Sequence, residues 1–506
     1  MSVASGCACA LLRSTAIAAV AVVAASGVRA LLAASSSRVA RWAWFLHLLT
    51  YLTPVVLVGY AYSTFALSLI HYPVCNELTY DLLVCVKLAP LATLVLWFAP
   101  SPISPEGTHC FRLLAKKRPA VFAGRCEGRT AVVGFSVEMS PLSRIAFWLR
   151  GAGRAVAGGF LVVFLLAFGE FELATFFRIP TWTATLFDAH VGGLALPESL
   201  RLALPAVACE GAVLLVVLGL VVSSRSGVRA ANRARTMNHP TRAAAWGCLL
   251  AALAAGSVVP VLIVLSRVLT GLSYLAETSA LARDIAGSVY FAAMAAACVY
   301  LAAGLVRRGV SACVWSLPGL LGPLVLSLLI LALFQLPGLR EVYDTSVPLL
   351  IALVALLFPI AWVLRALLGA LKPGEAVHAA VLLTGGRGSG RAVSGHTGRL
   401  SRSFALPRTS GAPSVAVRAR GVLWELEGKG RFWAIFLLFW WGYFDLTASH
   451  ILAPSRVTPV LVRLYNFMHY GHSEALSAMV CVAFAVPFLV LAAAAGVRRL
   501  AERFGL

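Results

Sequence analysis

Residues 347–371 read VPLLIALVALLFPIAWVLRALLGAL, an apolar run in which Arg365 is the single charged residue. A helix needs about 20 mostly apolar residues to cross the hydrocarbon layer of a membrane, and this run exceeds that length. Comparable runs recur along the chain. We therefore predict an all-α, polytopic transmembrane protein with about eleven helices, at 13–34, 44–69, 80–99, 156–178, 202–223, 245–268, 286–306, 314–336, 347–371, 432–453 and 475–496.

The composition excludes an ordinary soluble protein. Hydrophobic residues make up 60% of the chain and charged residues 12%, and the mean hydropathy is +0.88. Soluble domains carry roughly a quarter charged residues, because a surface that faces water needs them. The long apolar runs are therefore expected to face lipid or one another.

The net charge of +22 indicates an orientation rather than a nucleic-acid partner. The segments 35–43, 100–155, 224–244, 307–313, 372–431 and 497–506 hold 31 Lys and Arg residues, whereas the loops on the opposite side hold five. Basic loops stay in the cytoplasm, so we predict an external N-terminus and a cytoplasmic C-terminus. The loops show no basic segment interleaved with aromatic residues, and no nucleic acid is expected as a partner.

Cysteine and glycine patterns indicate no cofactor and no catalytic site. The eleven cysteines include no Cys-x-x-Cys pair and no Cys/His cluster with zinc spacing, so we expect neither a metal site nor a disulfide framework. The Gly-rich segment 385–390 lacks the Gly-Lys-Ser/Thr of a phosphate-binding loop, and no strand precedes it. The chain is expected not to be an enzyme, and any ATP hydrolysis belongs to a separate chain.

The N-terminal segment 1–34 admits two interpretations. Arg13, the alanine-rich stretch and Ala33-Ala34-Ser35 are compatible with a signal peptide. The apolar stretch is longer than a typical signal core, and Arg29 interrupts it. We favour a first transmembrane helix that is retained.

Two long polar interruptions, 100–155 and 372–431, divide the apolar runs and lie on the predicted inner face. They suggest a first module at 1–223, a basic linker at 224–244 and a second module at 245–506. Five apolar runs then fall in the first module and six in the second. A membrane subunit would meet a soluble partner at these two inner loops.

The two modules share an ordered set of short motifs. Each long loop ends in Gly-x-Gly-Arg, at 151–154 and 428–431, and each following run carries Gly-x-Phe-acid-Leu, at 169–173 and 442–446. Pro180 and Pro454 follow at matching distances, and the offset between the copies stays between 273 and 279 residues. This order predicts an internal duplication, which is common among transporters.

The second copy carries a family resemblance. Its stretch 461–466, LVRLYN, is followed by His469-Tyr470-Gly471 and Glu474-Ala475, and these marks accompany 170–174 and 444–449. Together they resemble the fused permeases of bacterial ABC importers, most closely the ferric-iron and thiamine class. The likeness covers about 145–222 and 420–496. It implies two permease modules in one chain, ATPase subunits on the cytoplasmic loops and a periplasmic solute-binding protein outside.

In that family a cytoplasmic coupling helix with a Glu-Ala-Ala…Gly signature docks onto the ATPase. Here Glu375-Ala376-Val377 is a trace of the signature, and Val381 stands where the glycine would be. The resemblance makes Glu375 and Ala376 the candidate contacts with the ATPase. Short helices parallel to the membrane are expected at about 108–118 and 374–384.

Acidic residues inside apolar runs need a reason, because each costs about 2.5–3.5 kcal/mol near a helix centre on insertion scales. Glu170, Glu172 and Asp445 are candidates for the translocation pathway, with interfacial solvation and helix packing as the alternative. Glu210 either lines a polar pathway or pairs with Lys87, and we favour the pair. The loop histidines 190, 469 and 472 are weaker candidates, for contact with iron.

Three functions remain open from the sequence. The first is a permease subunit of an ATP-driven importer, with ferric iron as the commonest substrate of the resembling group. The second is a secondary transporter driven by an ion gradient, with Glu210 or another buried acid as its proton site. The third is a membrane scaffold that descends from permeases and transports nothing.

Overall fold

The structure is a computed structural model that describes residues 3–69, 71–99, 125–126, 129–130, 152–223, 237–269, 271, 280–306, 310–371, 424–469 and 473–503. Apart from a small antiparallel hairpin of Arg125–Cys126 and Arg129–Thr130, these residues form helices joined by turns and short breaks. The predicted class, an all-α protein with many apolar helices of membrane-spanning length, is confirmed. Glu375, Ala376 and both expected coupling helices lie outside the described residues.

The first half of the chain forms eight helices among the residues described. They are α1 (Val3–Ala34), α2 (Ser37–Leu52), α3 (Val55–Leu69), α4 (Pro73–Phe98), α5 (Ala152–Phe168), α6 (Glu172–Phe177), α7 (Trp182–Val191) and α8 (Leu196–Ser223).

A further span lies between the halves, where α9 (His239–Leu253) continues through a π turn into α10 (Val259–Ser266). The described helices of the second half are α11 (Ala280–Leu305), α12 (Val310–Leu320), α13 (Pro323–Phe334), α14 (Val347–Leu371), α15 (Lys429–Tyr443), α16 (Thr447–Leu452), α17 (Val460–His469) and α18 (Ser473–Arg503).

Seven described helices are long and apolar enough to cross a membrane, and two bent pairs raise the number to nine. The two remaining predicted runs, 156–178 and 432–453, begin with α5 and α15 and then break. Four of the eleven runs are thus broken rather than continuous, and the count of eleven crossings stays a prediction.

The bent pairs have local causes. Helices α2 and α3 meet at 69°, and α12 and α13 meet at 97°. Pro54 directly precedes α3, and a proline disfavours helical geometry in the residue before it, so Thr53 is extended. Pro323 starts α13, after Gly322 at a φ of +82°. Proline also lacks an N–H, so each break leaves backbone groups that need other partners.

The helices of the two halves pack in the same order. Helix α1 lies against α4 and α5, and α11 lies against α14 and α15. Helix α3 contacts α6, and α13 contacts α16. One apolar core joins both halves, and inside it the Tyr60 hydroxyl lies 2.5 Å from the Ser477 hydroxyl.

Helix α1 is fixed in the bundle by charge as well as by packing. The Arg13 guanidinium forms an ion pair with Glu77 on α4 and lies 3.6 Å from the Asp81 carboxylate one turn further along. Arg13 also lies over the Tyr80 ring, 5.6 Å from its centroid. These contacts join α1 to α4, and the retention of α1 stays a prediction.

Candidate functional site

The first helix break, residues 169–171 between α5 and α6, is organised by Glu170. Its carboxylate accepts hydrogen bonds from the backbone N–H groups of Leu173 at 2.6 Å and Ala174 at 3.1 Å. The first N–H groups of a helix have no partner inside the helix, so a carboxylate at this position caps it. The Tyr80 hydroxyl of α4 donates to the same carboxylate at 2.9 Å.

Side chains of α7 satisfy the carbonyl groups that this break exposes. The Trp182 indole N–H donates to the Phe168 carbonyl at 2.8 Å, and the Thr183 hydroxyl donates to the Glu170 carbonyl at 2.7 Å. Non-helical backbone is tolerated at membrane depth when protein groups take the place of water as partners. Side chains of the protein therefore satisfy the backbone groups at this break. Trp182, which is only 1% exposed, is the largest buried side chain there.

The second helix break, between α15 and α16, is organised by Asp445. Its carboxylate accepts from the N–H groups of Ala448 at 3.0 Å and Ser449 at 3.2 Å. Asp445 thus caps α16 as Glu170 caps α6, and both capped helices have six residues. The buried hydroxyls of Tyr443 and Thr447 have no hydrogen-bond partner among the residues described.

The capping role falls two residues away from where the sequence motifs place it. The Gly-x-Phe-acid-Leu copies align Glu172 with Asp445, but Glu170 does what Asp445 does. Glu172 instead accepts a hydrogen bond from the Leu446 N–H at 3.3 Å, across the contact between the two halves. The motif predicted where the acids lie in the sequence. Where α6 and α16 begin determines which acid caps a helix.

Aromatic side chains close the space around this contact. The ring of Phe187 on α7 lies 5.2 Å from that of His450 on α16, and His450 lies 5.5 Å from Tyr465 on α17. Glu170, Glu172 and Asp445 are half-buried. Acids from both halves therefore lie close to the contact from Glu172 to the Leu446 N–H.

Lys87 lies at a third helix break, the one between α2 and α3. Its ammonium group donates to the Thr53 carbonyl, one of the groups freed between α2 and α3. The Trp440 indole N–H of α15 donates to the neighbouring Leu52 carbonyl at 2.9 Å. The Thr53 hydroxyl lies 2.7 Å from that of Ser257, in the π turn after α9.

The favoured pair between Lys87 and Glu210 does not form. Glu210 is 1% exposed, and its Oε2 atom has no hydrogen-bond partner among the described residues. Its Oε1 atom faces Gly169, where an added Cβ would lie 3.3 Å away. The prediction failed because the Lys87 ammonium group donates to the Thr53 carbonyl, which the helix break leaves without a partner, and not to the Glu210 carboxylate. Hydropathy alone does not show where helices break.

A second polar contact lies at the end of the bundle where α11 begins. Arg463 on α17 forms an ion pair with Asp284 on α11, and the Ser288 hydroxyl accepts from the Val460 N–H at 2.8 Å. A cavity of about 340 Å³ next to this pair is lined by Thr458, Arg463, Asn466 and Phe467. The sequence signal was Asp284, an acid just before an apolar run, which sequence reasoning did not single out.

The histidines do not converge on a metal site in the described part of the chain. The His190 ring lies 3.2 Å from the Ser199 hydroxyl, a contact that holds α7 against α8. Within the ranges described, no group of three His, Cys, Asp or Glu side chains is arranged to hold a metal ion. His472 lies outside the described residues, and so does the side chain of His469.

Comparison with protein-family models, with curated proteins and with solved structures finds no match to this chain.

Proposed function

We propose that this chain is the membrane permease subunit of an ATP-driven solute importer, built from two repeated modules. The observation that carries the proposal is the contact from Glu172 to the Leu446 N–H, which joins two capped helix breaks from opposite halves. Transporters made of repeats bind substrate where the repeats meet, at helices that are interrupted near the middle of the membrane.

The element order supports the duplication. Helices α1 to α8 and α11 to α18 follow the same sequence of a long helix, a bent pair, a long helix, a long loop, a broken helix, a ten-residue helix and a final long helix. The span His239–Ser266 has no counterpart in this order and packs against α1, α2 and α3. We therefore begin the second module near Ala280 rather than at 245.

The charge distribution supports a cytoplasmic C-terminus and an external N-terminus. The sequence resemblance implies a bacterial inner membrane. On this orientation the loops 100–155 and 372–431 face the cytoplasm and bind the ATPase subunits. The cavity beside Arg463 faces outward, where a periplasmic solute-binding protein would deliver the substrate. In the resembling group ferric iron is the commonest substrate, and thiamine, polyamines and phosphonate-like solutes are the alternatives.

Transport assays test the proposal. We expect right-side-out vesicles that contain the full chain, its ATPase and internal ATP to take up ferric iron presented by the solute-binding protein, in a way that vanadate blocks. Glu172→Ala should lower uptake about tenfold or more, because it removes the acceptor of the hydrogen bond that joins the two halves, whereas exposed Glu198→Ala should not. ATP-independent uptake, or uptake that is equal in the two variants, would contradict the proposal.

ATPase co-purification tests the coupling contact separately. The wild-type chain should retain an ATPase, and Glu375→Lys should lose it while membrane insertion stays normal. Glu341→Lys, the same charge change in the short 3-10 turn between α13 and α14, is the matched control. A wild type that retains no ATPase would favour a scaffold or an ion-driven carrier.

Glu210 supports a second candidate function, an ion-coupled secondary transporter. A carboxyl buried in a membrane bundle with an unpartnered oxygen is a natural proton-binding group. On this alternative a protonophore should abolish uptake and vanadate should not. Glu210→Gln should then remove the dependence of uptake on the proton gradient.

A further inference from the structure

We propose that a pocket between α11, α14 and α15 binds the phosphate headgroup of an anionic phospholipid. The pocket has a volume of about 270 Å³ and includes two arginines and two aromatic side chains in its lining. Its main lining residues are Tyr300, Gly304, Trp362, Arg365, Leu368 and Arg431.

The pocket lies at one end of three helices. Tyr300 and Gly304 belong to the last turns of α11, Arg365 lies near the C-terminus of α14, and Arg431 lies in the first turn of α15. A helix that crosses the hydrocarbon ends in the headgroup layer, so these residues lie at that depth. In the orientation proposed above this is the cytoplasmic leaflet, where anionic lipids attract basic pockets between helices.

Arg365 is held in place by its neighbours rather than free to extend into water. One guanidinium nitrogen donates to the Tyr300 carbonyl at 3.0 Å, and the group lies over the Tyr300 ring, 4.5 Å from the centroid. An added Cβ at Gly304 would come within 2.8 Å of the same guanidinium. The glycine therefore makes room for the arginine, whose planar fork has further N–H donors for a phosphate.

Arg431 enters the same pocket through a close helix contact. An added Cβ at Gly430 would lie 2.6 Å from a methyl group of Leu368 on α14, so the glycine lets α15 start against α14. Lys429, two residues earlier, pairs with Glu425 at 3.5 Å on the exposed surface. The Gly-Lys-Gly-Arg motif thus directs Arg431, and not Lys429, into the pocket.

The surface next to the pocket suits acyl chains. Leu301 and Leu305 on α11 are 68% and 85% exposed, and Val363 on α14 is exposed as well. Apolar side chains with that exposure on a spanning helix face lipid. A soluble phosphate would use the arginines alone, whereas a phospholipid would use the arginines and this apolar surface together.

The first half of the chain provides an internal comparison. Gly27 and Arg154 occupy the positions of Gly304 and Arg431 in the repeated order. Arg154 donates to the Leu220 carbonyl at 3.4 Å, and the basic residue of α4 nearest to the position of Arg365 in the repeat is Lys87. Lys87 donates to the Thr53 carbonyl at a helix break, whereas Arg365 lines a pocket together with Arg431. The two halves therefore share the order of their helices but use these basic residues differently.

The test measures lipid binding to the purified full-length chain. Phosphatidylglycerol should bind to the wild type and raise its unfolding temperature, whereas phosphatidylcholine and soluble glycerol phosphate should do neither. Arg365→Gln and Arg431→Gln should each weaken phosphatidylglycerol binding about fivefold, and the double variant about 25-fold. Arg154→Gln is the matched control and should bind as the wild type does.

Four outcomes would overturn the proposal. They are equal binding of phosphatidylcholine, equal binding of glycerol phosphate, a loss of binding in Arg154→Gln as large as in Arg431→Gln, and unchanged binding in the double variant. If Arg365→Gln does not fold, Arg431→Gln and the cavity-filling Gly304→Leu carry the test, since Arg431 is exposed and Gly304→Leu changes no charge. Elution volume in size-exclusion chromatography separates lost binding from misfolding.

Discussion

The two bent pairs of helices differ in how the bend between the helices is stabilised. Between α2 and α3, polar side chains from elsewhere in the bundle, Lys87 and Trp440, donate to the freed carbonyls. Between α12 and α13, the chain turns at Gly322 with a positive φ, and Gly319 brings α12 directly against α14. Hydrogen-bond donors from distant parts of the chain stabilise the break between α2 and α3. At the break between α12 and α13, glycines without side chains allow the positive φ and the close packing.

This difference concerns the bent pairs alone, because both halves contain an acid that caps a short helix, Glu170 in the first and Asp445 in the second. At the bend between α2 and α3 a buried charge, Lys87, contacts a freed carbonyl. Helix α14, which packs against α12, carries no charge before Arg365, close to its end.

The largest effect is expected at Gly319. An added Cβ would lie 2.2 Å from the Ala355 carbonyl oxygen and 2.9 Å from Pro359, so α12 and α14 must separate. We expect Gly319→Ala to lower the free energy of unfolding by about 3 kcal/mol. Unfolding of the purified protein in detergent measures it. Gly211→Ala, at a helical glycine with no atom near the added Cβ, is the control and should be neutral or slightly stabilising.

The turn glycine gives the second prediction. Gly322 has φ +82° and ψ 155°, a region that only glycine adopts easily. Gly322→Ala should cost about 2 kcal/mol in unfolding free energy through backbone strain alone, because nothing lies near its added Cβ. A neutral result in the same unfolding assay would mean that the bend depends on packing and not on this turn.

Lys87 gives the corresponding prediction for the first half. Lys87→Met leaves the Thr53 carbonyl without its donor, which costs about 1–3 kcal/mol, but it also removes a buried charge. We therefore expect a net loss of about 1 kcal/mol in unfolding free energy, and a smaller loss for Lys87→Arg. If Lys87→Met were more stable than the wild type, the hydrogen bond from Lys87 to the Thr53 carbonyl would not be a stabilising contact.

The smallest effect is expected at a surface contact of the second half. Asp344, in the loop before α14, accepts hydrogen bonds from the Ser455 N–H at 2.7 Å and from its hydroxyl at 2.8 Å. The backbone bond, followed by the hydroxyl bond, lowers the pKa of the Asp344 carboxyl below its usual value. The contact therefore stabilises the fold above pH about 4, and the effect is lost as the pH falls through the lowered pKa.

The measurement is the unfolding temperature of Asp344→Asn and of the wild type between pH 3 and pH 7. The two proteins should differ slightly at pH 7 and converge toward pH 3. A difference that persists unchanged at low pH would show that the ionised carboxylate is not the stabilising group.

Much of the architecture was predictable because it depends on local sequence. All eleven apolar runs coincide with helices or broken helices, since the length and hydropathy of a run are properties of consecutive residues. The acids Glu170, Glu172 and Asp445 were found as candidates for the same reason, since an acid in an apolar run is visible in the sequence. The four breaks were not predicted, although Pro54 and Pro323 mark two of them.

The sequence by itself determined the helical class, the charge asymmetry, the order of the repeated motifs and the positions of the acids. The tertiary structure alone decided which acid caps which helix, that Lys87 serves Thr53 and not Glu210, and that Arg365 and Arg431 share one pocket. The physical reason is that each of these contacts joins segments far apart in the chain. The partner in each contact is the unsatisfied polar group that the packing of the helices brings within about 3 Å.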